Sequence, residues 1–229
     1  MTSTLPANVH ISTHPCLQAK LSQLRATDTS PREVKALIHE ISLIVAVEAL
    51  AHGLKGSSEG TAKSMLGYDY PVQTVFPDNI VLVPILRSGL GMVDAIQTIL
   101  PNAVPVHHLG LFREPSTLSP VEYYNNLPSH SSSRPSLALL VDPIVATGGT
   151  SAAAIQTLKE WGVQKIIQIS VLGSVDGVKR AAEEGGENME LWVGGCDDKT
   201  DASGMIIPGL GDVGDRLFLT SAKRPKVGQ

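Results

Sequence analysis

The residue types best suited to chemistry in this chain are concentrated in Leu137-Ala138-Leu139-Leu140-Val141-Asp142-Pro143-Ile144-Val145-Ala146-Thr147-Gly148-Gly149-Thr150. An apolar run of strand length ends in a carboxylate, and a loop of small residues then leads into a helical pattern. Backbone N–H groups and threonine hydroxyls converge at such a junction, where the helix dipole favours an anion. The expected occupant is a single phosphate, with Asp142 facing a group beside it. The bland alternative, an ordinary turn that happens to be rich in Gly and Thr, fits poorly with a loop that follows an acid-terminated strand. No Gly-x-x-x-x-Gly-Lys-Ser/Thr occurs, and no Gly-x-Gly-x-x-Gly follows a predicted strand, which excludes a triphosphate cradle and a dinucleotide fingerprint.

Holding such a loop requires a sheet with helices around it, and the rest of the chain supplies the pattern. Ser30-Pro31-Arg32-Glu33 combines an N-cap, a first-turn proline and a capping-box glutamate. The helix that follows runs to about His52, with Val34, Leu37, Ile38, Ile41, Ile44, Val45 and Ala49 on one face. Ile80 to Leu86 reads as a buried strand, Met92 to Leu100 as a helix stopped by Pro101, and Val104 to Leu109 as another strand. Residues 113 to 135 hold four prolines and Tyr123-Tyr124, and read as a long hairpin-like excursion. Strand Leu137 to Val141, helix Thr150 to Trp161 stopped by Gly162, and strand Lys165 to Leu172 make a βαβ unit. A helix from about Asp176 to Glu184 and a strand Glu190 to Val193 continue it, while Gly204 to Arg216 is glycine-rich with little periodicity. Residues 1 to 28 read as an N-terminal arm with a short amphipathic piece at Leu17, Leu21 and Leu24. The expectation is one α/β domain over residues 1–229, with a central mostly parallel sheet flanked by helices.

Composition agrees and removes several classes. The chain has 229 residues, 42% hydrophobic and 4% aromatic, with 21 glycines, which suits a parallel sheet of Val/Ile/Leu strands with close loops. A net charge of −4, from 18 basic and 22 acidic residues, offers no field for a nucleic-acid backbone. Cys16 and Cys196 show neither a disulfide framework nor a metal-ligand spacing. A cytoplasmic location is therefore expected. The longest apolar run, Ile41 to Ala51, is broken by Ser42 and Glu48 and reads as a core helix, so no membrane association is expected. His107-His108 lacks a third ligand at a zinc spacing, and no metal site made of protein ligands is expected.

The segment DPIVATGGT at 142–150 resembles the phosphoribosyl-diphosphate (PRPP) loop of type I phosphoribosyltransferases. VPILRSGLGM at 83–92, EYYNNLP at 122–128, MIIPGLGDVGD at 205–215 and His14-Pro15 narrow the resemblance to the uracil phosphoribosyltransferase family, over nearly the whole chain. The resemblance implies the type I fold with a C-terminal hood, and conversion of uracil and PRPP to UMP and diphosphate with Mg²⁺ in pyrimidine salvage. It also implies a homodimer or homotetramer and, as in some relatives, GTP as effector.

The site residues follow from the same resemblance. Arg87 and Arg113 would hold the diphosphate, a role that suits a planar guanidinium charged at any working pH. Asp142 would meet the ribose hydroxyls, Ala146, Thr147, Gly148, Gly149 and Thr150 would wrap the 5′-phosphate, and Pro143, Ile144 and Val145 would complete the PRPP-binding loop. Ile206, Gly211, Asp212 and Val213 would contact uracil, with Asp212 also facing PRPP; Arg87, Asp142 and Asp212 are the expected catalytic residues. Backbone groups can match the donors and acceptors of uracil, and cytosine would leave some of them unpaired. This chain departs from many relatives at Glu114-Pro115-Ser116, where they carry Asn-Glu-Glu, and at Met205, where they carry Tyr. Met fills the space without a hydroxyl, so a changed response to uracil analogues is expected. Two other readings stay open at this level: an RNA-binding regulator that senses PRPP or nucleotides on the same fold, and a catalytically weak homologue.

Overall fold

The computed structural model describes residues 5–114, 117, 119–128 and 134–220. In chain order these form β1 (Val9–Ile11), α1 (Pro15–Arg25), α2 (Pro31–Gly53), β2 (Lys55–Lys63), β3 (Asp69–Phe76), β4 (Ile80–Leu86) and α3 (Val93–Ile99). Then follow β5 (Leu109–Arg113), β6 (Pro120–Asn125), β7 (Leu137–Val141), β8 (Ile144–Val145), α4 (Gly149–Trp161), β9 (Lys165–Ser174) and α5 (Val175–Gly185). The chain closes with β10 (Met189–Asp197), β11 (Lys199–Thr200), β12 (Ile206–Ile207) and α6 (Val213–Phe218).

The main sheet runs β1-β10-β9-β7-β4-β5-β6, with β8 also on β9. Every neighbouring pair in it is parallel except β5 with β6, so the expected mostly parallel α/β sheet is what forms. Side chains alternate faces along each strand. Ile80 and Leu82 of β4 and Leu137, Leu139 and Val141 of β7 join one core with α1, α2 and α3. Val81, Val83 and Ile85 of β4 and Ala138 and Leu140 of β7 join a second core with α4 and α5. A strand buried on both faces must be apolar throughout, which is why these segments lack alternation in sequence.

The N-terminus of α2 has the full capping box: Ser30 Oγ accepts from Glu33 N–H, and a Glu33 oxygen accepts from Ser30 N–H at 2.9 Å. The Ser30 hydroxyl, donating to Glu33 Oε2 at 2.6 Å, and after it the Ser30 N–H hold the exposed Glu33 carboxyl below its usual pKa. Cys16 and Cys196 are both free thiols, and burial pushes the half-buried Cys196 up to about 11. No described helix is long and apolar enough to cross a membrane.

Two expectations need correction, and one element was not foreseen. Residues 1–28 are not a loose arm where they are described: β1 pairs in parallel with β10, and Leu17, Leu21 and Leu24 of α1 are buried in the core. The amphipathic piece expected at Leu17, Leu21 and Leu24 is α1, whereas the three-residue β1 is too short to mark itself in sequence. The strand expected at Val104 to Leu109 is reduced to one bridge between Leu82 and Val106. Pro105 has no N–H to extend the bridge backwards and Pro84 none to extend it forwards, and continuous pairing resumes at Leu109, opposite Ile85. The antiparallel hairpin β2–β3 was not anticipated at all. Almost all of it is exposed, so it carries no buried face for a periodicity to mark.

Candidate active site

In open parallel sheets ligands bind beyond the carboxyl ends of the strands. Here β4 ends at Leu86 and β7 at Val141, and the cleft beyond them is lined by Ser88, Asp142, Ile144 to Gly148, Thr150, Met205, Ile206 and Leu210 to Gly214, among others. Two chain segments distant in sequence, the loop after β7 and the glycine-rich C-terminal turn, thus share one space.

Asp142 is buried directly after β7, and its Oδ1 accepts the Ser88 hydroxyl at 2.8 Å. Ser88 stands in the 3₁₀ turn Ser88–Met92 after β4, so the bond ties the two strand ends together. A Cβ on Gly89 would lie 2.5 Å from the Val141 carbonyl oxygen; the turn can come this close only as glycine. The Pro143 carbonyl accepts from Val171 and Leu172 N–H, both at 3.0 Å, which pins the loop to β9.

The loop then turns through Gly148, whose φ of +73° is left-handed and whose Cβ would stand 2.4 Å from the Gly177 carbonyl oxygen. Ser174 braces the other side: its hydroxyl donates to the Ala146 carbonyl at 2.5 Å and accepts from Gly177 N–H at 3.0 Å. The first backbone bond of α4 runs from Ala152 N–H to the Gly148 carbonyl at 2.8 Å. That leaves the N–H groups of Gly149, Thr150 and Ser151 without a helical acceptor, at the positive end of the dipole. Arg180 of α5 comes against this end: its Nη1 lies 3.4 Å from where a Gly149 Cβ would be. An anion at the loop therefore meets oriented donors and, nearby, a guanidinium.

The C-terminal turn is held by two arginines. Arg25 at the end of α1 grips Asp197 through two bonds, at 2.8 and 2.7 Å, and donates to the Gly209 carbonyl at 2.9 Å. Asp197 Oδ2 accepts Gly209 N–H at 3.0 Å, closing the ring. Arg216 Nη1 donates to the carbonyls of Leu210 at 2.9 Å and Leu24 at 2.7 Å; burial lowers its pKa without removing its charge. Asp212 is the N-cap of α6, its Oδ1 accepting from Asp215 N–H at 3.0 Å. Gly209 to Gly214 have the glycine spacing of a dinucleotide fingerprint, but they follow a two-residue antiparallel strand and run into a six-residue helix. No βαβ unit surrounds them.

Of the expected site residues, Asp142, Ile144, Val145, Ala146, Thr147, Gly148, Thr150, Ile206, Gly211, Asp212 and Val213 line the cleft, and Met205 joins them. Pro143 and Gly149 belong to the same loop without lining it. Arg87 stands at the rim, exposed, with Nη1 3.3 Å from Thr220 Oγ1 and Nη2 3.9 Å from Asp215 Oδ1. Arg113 ends β5, two residues after cleft-lining Leu111. Pro115 and Ser116 lie outside the described residues, whereas Glu114 accepts from Thr117 N–H at 2.7 Å. Sequence reasoning missed Ser88, Ser174, Arg180 and the Arg25–Asp197–Arg216 brace. Ser88 lay inside a motif already noticed; the others act across intervals such as the 172 positions between Arg25 and Asp197, which leave no local signal.

Comparison with known proteins adds an independent line. The family model described as uracil phosphoribosyltransferase matches residues 11–220. The uracil phosphoribosyltransferase of Roseiflexus castenholzii is 41% identical over 212 residues, 93% of this chain and 98% of its own. That of Thermosipho africanus is 37% identical over 214 residues, 93% and 99% of the two chains. Among solved structures, a protein of Aquifex aeolicus superposes with a TM-score of 0.84 at 30% identity, covering 93% of this chain and 99% of its own.

Proposed function

The chain belongs to the uracil phosphoribosyltransferase family, and we propose from its cleft how it carries out that family's reaction, the conversion of uracil and PRPP to UMP and diphosphate. The observation that carries the reading is the meeting, in one cleft, of a phosphate-type loop behind a buried carboxylate and a glycine-rich turn suited to a flat base. N1 of uracil bonds to the ribose anomeric carbon, the C–O bond to diphosphate breaks with its electron pair leaving on oxygen, and the N1 proton is lost. Charge develops on ribose and diphosphate, so the protein's work is to align the reactants and stabilise that charge. No nucleophilic side chain is required.

In this reading the 5′-phosphate sits on the N–H groups at the start of α4, with Arg180 adding long-range charge. Asp142, fixed by Ser88, receives the ribose hydroxyls. Arg87 exchanges its contacts with Asp215 and Thr220 for diphosphate oxygens, joined by Arg113 from β5. Ile206, Gly211, Asp212 and Val213 take uracil, held in place from behind by Arg25, Asp197 and Arg216. Met205 lines the cleft with a thioether where many relatives offer a hydroxyl.

Mg²⁺ fits the donor set, since Asp142 and Asp212 bring hard carboxylate oxygens to the cleft wall, and this ion keeps much of its water and binds through substrate phosphates. When bound it would neutralise charge on the leaving diphosphate. The enzyme is read as cytoplasmic, with residues 1–229 as one catalytic unit. A homodimer or homotetramer is supported by the exposed Met65, Leu66, Tyr68, Tyr70 and Phe76 of the β2–β3 hairpin. GTP as effector accompanies the family expectation. No observation favours the RNA-binding alternative.

The test is direct: purified protein given uracil and PRPP should form UMP with Mg²⁺ and none after chelation of divalent ions. Absence of UMP with Mg²⁺ present would overturn the reading.

A further inference from the structure

At the end of the sheet opposite the cleft, where the parallel strands begin, three metal-ligating side chains meet from three elements. His10 comes from β1, Glu190 from the start of β10 and His52 from the last turn of α2. One ligand atom from each lies within 4.8 Å of the other two. Glu190 Oε2 is 3.4 Å from His52 Nε2 and 3.8 Å from His10 Nε2. We propose that His10, His52 and Glu190 form a binding site for a late first-row divalent cation, with Zn²⁺ the best fit.

The donor chemistry selects that class. Two imidazoles and one carboxylate oxygen match Zn²⁺ and its neighbours, whereas Mg²⁺ and Ca²⁺ prefer oxygen donors only. Bonds of about 2.0–2.1 Å in a tetrahedron put ligand atoms about 3.3 Å apart, so the cluster must close by roughly 1.5 Å at its widest edge. Side-chain rotation suffices for that, because His52 is largely exposed.

The surroundings already orient the ligands. Lys165 Nζ donates to the other Glu190 oxygen, Oε1, at 2.7 Å, and Trp192 Nε1–H donates to Oε2 at 3.3 Å. The His10 ring stacks on Trp192 with centroids 4.2 Å apart and planes 18° apart. Outer contacts of this kind fix ring orientation and carboxylate rotamer. Solvent reaches the site through His52, which gives the ion an entry path and leaves a coordination position for water. An ion here would clip β1, which among the described residues pairs only with β10, to the end of α2. Its role would be structural, remote from the chemistry.

The test is thermal unfolding of the metal-free protein with Zn²⁺ alone, without substrates. Zn²⁺ at about 100 times its dissociation constant should raise Tm by about 5 °C, and Mg²⁺ should give no such rise. Loss of the Zn²⁺ rise in both His52→Ala and Glu190→Gln, with His107→Ala keeping it, supports the site. A rise that survives in both ligand variants, or no rise in the parent protein, overturns it. Because a variant could be weakened before metal is added, Co²⁺ is the second probe: the parent should develop the visible band of a tetrahedral site, and His52→Ala should not. Absence of that band in the parent also overturns the proposal. UMP synthesis enters neither readout, so the two claims fail separately.

Discussion

Asp142 combines burial, a fixed rotamer and a position at the strand end, which is the profile of a group that must meet a ligand at one defined point. Replacing it by Asn keeps the shape and an oxygen to accept the Ser88 hydroxyl, but removes the charge that, in the proposed reading, would balance a cationic ribose. Asp142→Asn should therefore lower kcat by about 10²-fold with an unchanged circular dichroism spectrum. Arg87→Ala should act differently, because its guanidinium is exposed and contributes little to folding. The expected result is a PRPP KM raised by about tenfold together with reduced turnover. Parent-like kinetics in either variant would remove that residue from the site. Asp142 was legible as the acid that ends an apolar strand, and Arg87 through the family resemblance of its motif. Arg25, Asp197 and Arg216 were not, since each is an ordinary charged residue until the fold brings it to the C-terminal turn.

Among the elements, the loop between β7 and α4 depends on the β9–α5 turn as much as on its own residues. Gly148 needs both a left-handed backbone and the space that the Gly177 carbonyl leaves. Gly148→Ala should cost about 1–3 kcal/mol at this one position. We expect a lower Tm and a PRPP KM raised about tenfold or more, with a smaller change in the KM for uracil; equal changes in both constants would contradict a phosphate role for the loop. Elements buried on both faces, β4, β7 and β9, were visible as apolar runs, and α2 was announced by its cap. The β2–β3 hairpin and β1 were invisible for the opposite reason. One has no buried face, and the other has three residues whose partner lies some 180 positions away. The displaced strand at Leu109 shows an apolar run giving way to the lost N–H groups of Pro105 and, across from it, Pro84.

For the whole molecule, a net charge of −4 spread over 229 residues is compatible with a small anionic substrate because the cations that matter are local. In the proposed reading, Arg87, Arg113 and Arg180 would serve one cleft without creating a field for a polyanion. The sheet divides the molecule into two ends: carboxyl strand ends that carry the cleft, and amino strand ends that carry the imidazole–carboxylate cluster. The central claim is that this cleft joins uracil, and not another base, to the phosphoribosyl group. A competition assay presents uracil, cytosine, hypoxanthine and 5-fluorouracil together with PRPP and Mg²⁺, and identifies the nucleotides formed. The account predicts UMP and the 5-fluorouracil nucleotide, with cytosine and hypoxanthine left unreacted; CMP or IMP as the main product would contradict it.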